Sequence, residues 1–174
     1  MVAAHEVVLA ELPALLPRLW RYGLVLARDT ATAEDLVQAT CVRALERSEQ
    51  FTVGTRLDRW LFSILRSIWI NQLRAQRIRV GQGLVDPEEV LVTEGAQQIE
   101  MNISAGQVLK RALGLPEAQR ETLLLVYVEG LTYQEAADVL SVPIGTVMSR
   151  LAAARLKLSA LQTPSADNAD RDQD

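Results

Sequence analysis

Apolar residues recur three and four positions apart along most of this chain, and that spacing leaves little room for anything but helices. Leu57, Leu61, Ile64, Leu65 and Ile68 stand at offsets 0, 4, 7, 8 and 11, and Ile144, Val147, Leu151, Ala154, Leu158 and Leu161 alternate three and four apart. On an α-helix such positions fall on one face, so each run can bury a single stripe against a neighbour. Few stretches alternate apolar with polar residues, and only 5% of the 174 residues are aromatic, which weighs against sheets. The predicted fold class is all-α.

Breaks in the periodicity divide the chain. A helix is expected over about residues 7–28, bent or restarted at Pro13 and Pro17. Thr32 with Asp35 has the spacing of a capping box and predicts a helix to about Arg47. Phe51 to Gly54 reads as a break. Thr55 with Asp58 repeats the capping spacing ahead of a helix that runs to Leu73 and fades near Arg79. Residues 81–106 lack sustained periodicity and read as a linker, because a structureless loop of that length is unusual inside one domain. Beyond it, Pro116-Glu117 starts a helix that reaches Val128 and Glu129 and stops at Gly130. Thr132 and Glu135 form a third capping pair, opening a short helix to Leu140. Ser141 to Gly145 then makes a turn into the last helix. Two helices joined by a tight turn, the second with one apolar seam, have the pattern of a helix-turn-helix. The expected organisation is a module over 1–80, a linker over 81–106, a helix-turn-helix module over 107–163 and a disordered acidic tail over 164–174.

The formal net charge of −4 argues against a nucleic-acid binder until it is divided along the chain. Residues 1–80 carry eleven Arg and eight Asp or Glu, for +3; residues 81–106 carry five acids and no base, for −5. Residues 107–163 carry six bases and five acids, for +1, and the tail has four Asp and one Arg, for −3. Local basic stripes attract phosphate even on an acidic protein. One cysteine, Cys41, excludes an internal disulfide and a multi-cysteine zinc site, and the one histidine, His5, lacks partners for a metal or a catalytic pair. There is no phosphate-binding loop, no HExxH and no GxSxG. No enzyme activity, metal or cofactor is expected. No apolar run approaches a membrane span and no signal-peptide pattern opens the chain, so a cytoplasmic protein without membrane insertion is expected.

What remains are surfaces for binding. Glu34, Asp35, Gln38 and Arg43 lie outside the apolar set of their helix, with Asp35 and Gln38 sharing a face; by pattern alone a solvated surface is the favoured reading. In the helix after Gly54, Arg56, Arg59, Ser63, Arg66, Asn71 and Arg74 spread over the less apolar side, interleaved with Trp60, Phe62 and Trp69. Arginines can hold phosphates and aromatic faces can stack on an unpaired base. The same pattern also fits a core helix whose tryptophans point inward. In the last helix Thr146, Ser149, Arg150, Arg155 and Lys157 lie off the apolar seam, where such a helix meets the major groove.

Taken in order, these segments resemble the sigma-70 family. Ala33-Glu-Asp-Leu-Val-Gln38, Arg43-Ala-Leu45, Phe51, Gly54-Thr55, Trp60-Leu-Phe62 and Ile64-Leu-Arg66 are similar to its region 2. Leu115-Pro116, Gln119-Arg120, Glu135-Ala-Ala137, Gly145-Thr-Val147, Ser149-Arg-Leu151 and Ala154-Arg155 are similar to its region 4. The likeness covers about residues 10–79 and 107–161, and two regions joined by a short linker resemble the extracytoplasmic-function (ECF) group. The resemblance implies a transcription initiation factor with core RNA polymerase and promoter DNA as partners and an anti-sigma factor as inhibitor. It further implies docking on core polymerase through Asp35, Gln38 and Arg43. Contact with the −10 element would fall to Thr55, Arg56, Arg59, Trp60, Ser63, Arg66 and Arg74. Contact with the −35 element would fall to Thr146, Ser149, Arg150 and Arg155. The chain departs from the family pattern at Ala39 and Cys41 in the docking helix and at Met148, Ala152 and Ala153 in the last helix. Two other readings compete: a sigma-like decoy that titrates an anti-sigma factor, and a stand-alone helix-turn-helix regulator that binds duplex DNA without polymerase.

Overall fold

Helix α1, Val2–Ala27, runs unbroken through both Pro13 and Pro17. Each proline removes one backbone donor, but both lie on the exposed side, where water can serve the carbonyl left over one turn back. The structure, a computed structural model, describes residues 2–81 and 111–160. The predicted acidic linker and tail lie outside the described residues, apart from Gly81.

Arg28, in left-handed backbone with φ 57°, turns the chain into α2, Thr30–Glu46. The cap differs from the expected Thr32–Asp35 box: the Asp29 carboxylate accepts from both the Thr32 amide, at 2.8 Å, and the Thr32 hydroxyl, at 2.7 Å. Those bonds hold the Asp29 carboxyl below its ordinary range. A one-residue glycine gap lets α1 and α2 touch, since a Cβ on Gly23 would stand 3.2 Å from the Ala33 carbonyl oxygen. A 3-10 turn, Ser48–Gln50, leads to α3, Leu57–Arg79. Here too the expected cap is replaced. The Thr55 hydroxyl donates to the Thr52 carbonyl instead of capping α3, and Asp58 is taken up by arginines. Helices α1, α2 and α3 pack pairwise around Val8, Leu12, Leu19, Leu36, Leu61 and Leu65, with Tyr22 meeting Phe62 edge to face at 5.3 Å. Each large aliphatic chain buried there contributes about 1.5–3 kcal/mol.

The second module begins with helical residues 111–113 and then α4, Glu117–Leu123, entered through Pro116 as expected. Its last part opens into one π-helical turn, Leu124–Val128, in which the Glu129 amide donates to the Leu124 carbonyl at 2.9 Å. Gly130, with φ 71°, ends the run where the sequence placed the stop. Helix α5, Tyr133–Leu140, has the expected capping box, with the Thr132 hydroxyl and the Glu135 carboxylate each accepting from the other residue's amide. Ser141, at φ 54°, terminates it in left-handed backbone, and α6, Ile144–Ala160, follows. Helix α6 packs on α4 and α5, burying Val147, Leu151 and Ala154. The two modules lie against one another: α5 packs on α3 and α4 on α1, so Leu124, Leu125 and Leu131 join one continuous apolar cluster with Leu61 and Phe62. No strand occurs among the described residues.

Candidate nucleic-acid interface

The residues expected to face partners fall on three surfaces. On α2, Asp35 and Gln38 are exposed and Arg43 is half-buried. One turn beyond Gln38, Val42 is 55% exposed, an apolar residue that the sequence reading did not single out. Cys41 is half-buried against the core, and burial pushes its thiol up from the ordinary value.

On α3 the polar residues do reach the surface, yet most are already engaged. Trp60 is half-buried, its ring 5.4 Å from that of Phe51, and Ser63 donates to the Arg59 carbonyl at 3.0 Å. Thr55 and Arg74 are exposed. Arg56 straddles two carboxylates, donating to Asp58 at 2.7 Å and to Glu135 of α5 at 3.0 Å. Arg59 pairs with Asp138 at 3.1 Å and Glu135 at 3.7 Å, also on α5. Arg66 donates to Glu121 of α4 at 3.0 Å, and the Trp69 indole donates to Glu117 at 3.2 Å. Burial of Asp58 works against its charge, but two bonds from Arg56 and the nearby Arg18 outweigh it and hold the carboxyl below its ordinary range.

The ion pairs continue inward. Tyr22, fully buried, donates to Glu121, and burial beside that carboxylate raises the phenol well above its usual value, keeping it a neutral donor. The side chain of Glu129 is 1% exposed and accepts from Arg18 and Arg21 of α1. The π turn just before it adds a residue to the helix, which sets where Glu129 emerges. Arg120 donates to the Val25 carbonyl at 2.6 Å and the Leu115 carbonyl at 2.8 Å; burial lowers its pKa to about 10. Glu117 is pushed up by burial, against the bond from Trp69. This inner layer escaped the sequence reading, which took Arg120 as part of a motif and Glu135 as a cap. One signal was available: Glu117, Glu121, Glu129, Glu135 and Asp138 are all the acids of residues 107–163.

On α6, Ser149 is exposed and donates to the Thr146 carbonyl at 3.0 Å, Thr146 and Arg150 are half-buried, and exposed Arg155 donates to the Tyr127 hydroxyl at 3.3 Å. Met148 is 47% exposed between them. Among the described residues no group of three or more His, Cys, Asp or Glu side chains is placed to hold a metal ion. No single helix among them is long and apolar enough to cross a membrane.

Comparison with known proteins gives this geometry a context. Residues 13–78 match the family model for sigma-70 region 2, and residues 105–158 match that for sigma-70 region 4. The chain is similar to the ECF RNA polymerase sigma factor EcfG of Rhodopseudomonas palustris, at 35% identity over 85% of this chain and 81% of that protein. It is also similar to the ECF RNA polymerase sigma factor SigC of Mycobacterium tuberculosis, at 33% identity over 83% of this chain and 77% of that protein. Among solved structures, the sigma factor RpoE from Bartonella quintana, seen in complex with the anti-sigma factor NepR, aligns with a TM-score of 0.72 and 31% identity. That alignment covers 87% of this chain and 94% of the other.

Proposed function

The chain belongs to the ECF sigma factors of the sigma-70 family, and from that membership we propose how its surfaces divide the work. A sigma factor is not an enzyme. It binds core RNA polymerase and directs it to promoters, while the polymerase makes the RNA. The observation that carries the reading is the ordered pair of regions, shared at 35% identity with an ECF sigma factor across most of both chains.

Asp35, Gln38 and Arg43 on the outer side of α2 dock on core polymerase, with exposed Val42 supplying the apolar contact beside them. The α3 face meets the −10 element: Arg56, Arg59, Arg66 and Arg74 hold phosphates, and Thr55, Trp60 and Ser63 line the path of an unstacked base. Extruding a base costs a few kcal/mol, which stacking and phosphate contacts together offset. Helix α6 enters the −35 major groove through Thr146, Ser149, Arg150 and Arg155. With Met148 exposed and alanines at 152 and 153, few side chains remain there for base readout, so promoter choice leans on the −10 side. An anti-sigma factor holds the chain inactive, a reading supported by its likeness to RpoE, solved with NepR. The factor acts in the cytoplasm, where the polymerase is.

Run-off transcription of the host's genomic DNA tests this. Core enzyme with the chain is expected to give discrete 5′ ends that core alone does not, and Asp35→Ala/Gln38→Ala to weaken core binding about ten-fold or more. No discrete start and no core binding at micromolar concentration would overturn it.

A further inference from the structure

Where α6 is short of polar side chains to read a base, it carries an apolar row. Met148, Ala152 and Leu156 stand four residues apart along the helix, and the first and last are 47% and 71% exposed. Val147, Leu151 and Ala154 form the buried seam against α4 and α5, so the row lies off that seam, toward solvent. A single exposed apolar side chain is ordinary on a protein surface. This row differs in what surrounds it. Thr146 and Ser149, assigned above to the −35 groove, stand just before and just after Met148. By helical spacing Arg155 lies along one side of the row, and Arg150 and Lys157 lie along the other. Arg155 donates to the Tyr127 hydroxyl at 3.3 Å, which holds its charge at the edge. Basic edges around an apolar centre fit the major groove, whose rims are phosphate and whose floor carries the base edges.

We propose that Met148 is a specificity-determining residue of α6, which takes the 5-methyl group of a thymine in the −35 element. This rests on the assignment of α6 to the −35 major groove.

Met148 lies in the second turn of α6, within the N-terminal part from which a recognition helix reaches base edges. Of the groups that bases present in the major groove, the thymine methyl alone is apolar. Covering it with the methionine removes apolar surface of both partners from water. The other bases offer polar atoms at the same depth, and a thioether donates no hydrogen bond and accepts only weakly. Met148 over a cytosine or adenine amino group would strip it of water without replacing the bond. Preference for thymine therefore has two sources, a gain at the right base and a loss at the wrong ones. The unbranched side chain adapts its shape to the methyl, and Ala152, one turn on, adds no polar group that opposes it.

Uracil in place of thymine keeps every hydrogen-bonding atom and removes only the methyl group, so it isolates this contact. Holoenzyme made from core polymerase and the full chain is competed between promoter duplexes in which each thymine of the −35 element, on either strand, is replaced in turn by uracil. Wild type is expected to lose about three- to five-fold in affinity at one thymine, as burial of one methyl group predicts. Met148→Ala, at an exposed position and with a better helix former, should bind the thymine and uracil duplexes alike. Absence of any methyl-sensitive thymine for wild type, or an equal loss in Met148→Ala, overturns the proposal. A duplex with a scrambled −35 element separates it from the reading beneath. Weaker binding on scrambling, with no effect of uracil, removes the role of Met148 alone. Unchanged binding on scrambling removes the assignment of α6 to the −35 element, and the proposal with it.

Discussion

Tyr22 shows how much a single side chain holds at the module boundary. Its ring packs against Phe62 and its hydroxyl donates to Glu121, which also takes a bond from Arg66. A hydrogen bond to a charged acceptor in a buried site contributes more than an ordinary one, because no water can replace it. Tyr22→Phe keeps the ring and removes the donor. It is expected to cost about 2 kcal/mol in urea unfolding, through Glu121 left with one partner fewer. An unchanged midpoint would mean that Arg66 alone satisfies Glu121. Arg120 is the other residue whose work no sequence pattern disclosed. A basic residue on a short helix reads as exposed, and only the docked first module supplies the Val25 carbonyl that keeps it buried. The residues proposed to bind partners divide the same way. Asp35 and Gln38 were legible as an exposed pair from spacing alone. The occupation of Arg56, Arg59 and Arg66 was not, because their partners lie 55 to 79 residues away along the chain.

At the scale of elements, helix existence followed from apolar periodicity, while helix ends depended on which side chain reached which amide. Three capping boxes were expected from spacing and one formed. Thr132 and Glu135 face each other across the first turn of α5 because neither has a better partner inside its own module. Asp29 takes the Thr32 amide before Asp35 can matter, and Asp58 is claimed by Arg56 and Arg18. The difference can be measured. Thr132→Ala is expected to lower stability by about 1 kcal/mol, the usual worth of an N-cap. Thr55→Ala, whose hydroxyl bonds only to an exposed loop carbonyl, should cost less than about 0.5 kcal/mol. Equal losses by thermal unfolding would mean that Thr55 caps α3 after all. The prolines of α1 make the same point: a breaker in sequence is tolerated where the lost bond faces water.

For the whole molecule, the charge map along the sequence anticipated two neutral-to-basic modules set apart by an acidic segment but not their embrace. A net −4 spread evenly would describe an ordinary acidic protein. The acids of the second module instead sit against the arginines of the first, leaving α6 as its basic edge. That arrangement joins the account of promoter recognition to the account of the free chain, since both give Arg56 and Arg59 an anionic partner. Permanganate reactivity of unpaired thymines at the −10 element, in complexes of core polymerase with this chain on a responsive promoter, tests that shared claim most directly. Wild type should expose reactive thymines, and Arg56→Ala/Arg59→Ala should reduce their reactivity about ten-fold or more while binding core as well as wild type does. Opening at the wild-type level by the doubly substituted factor would contradict the account.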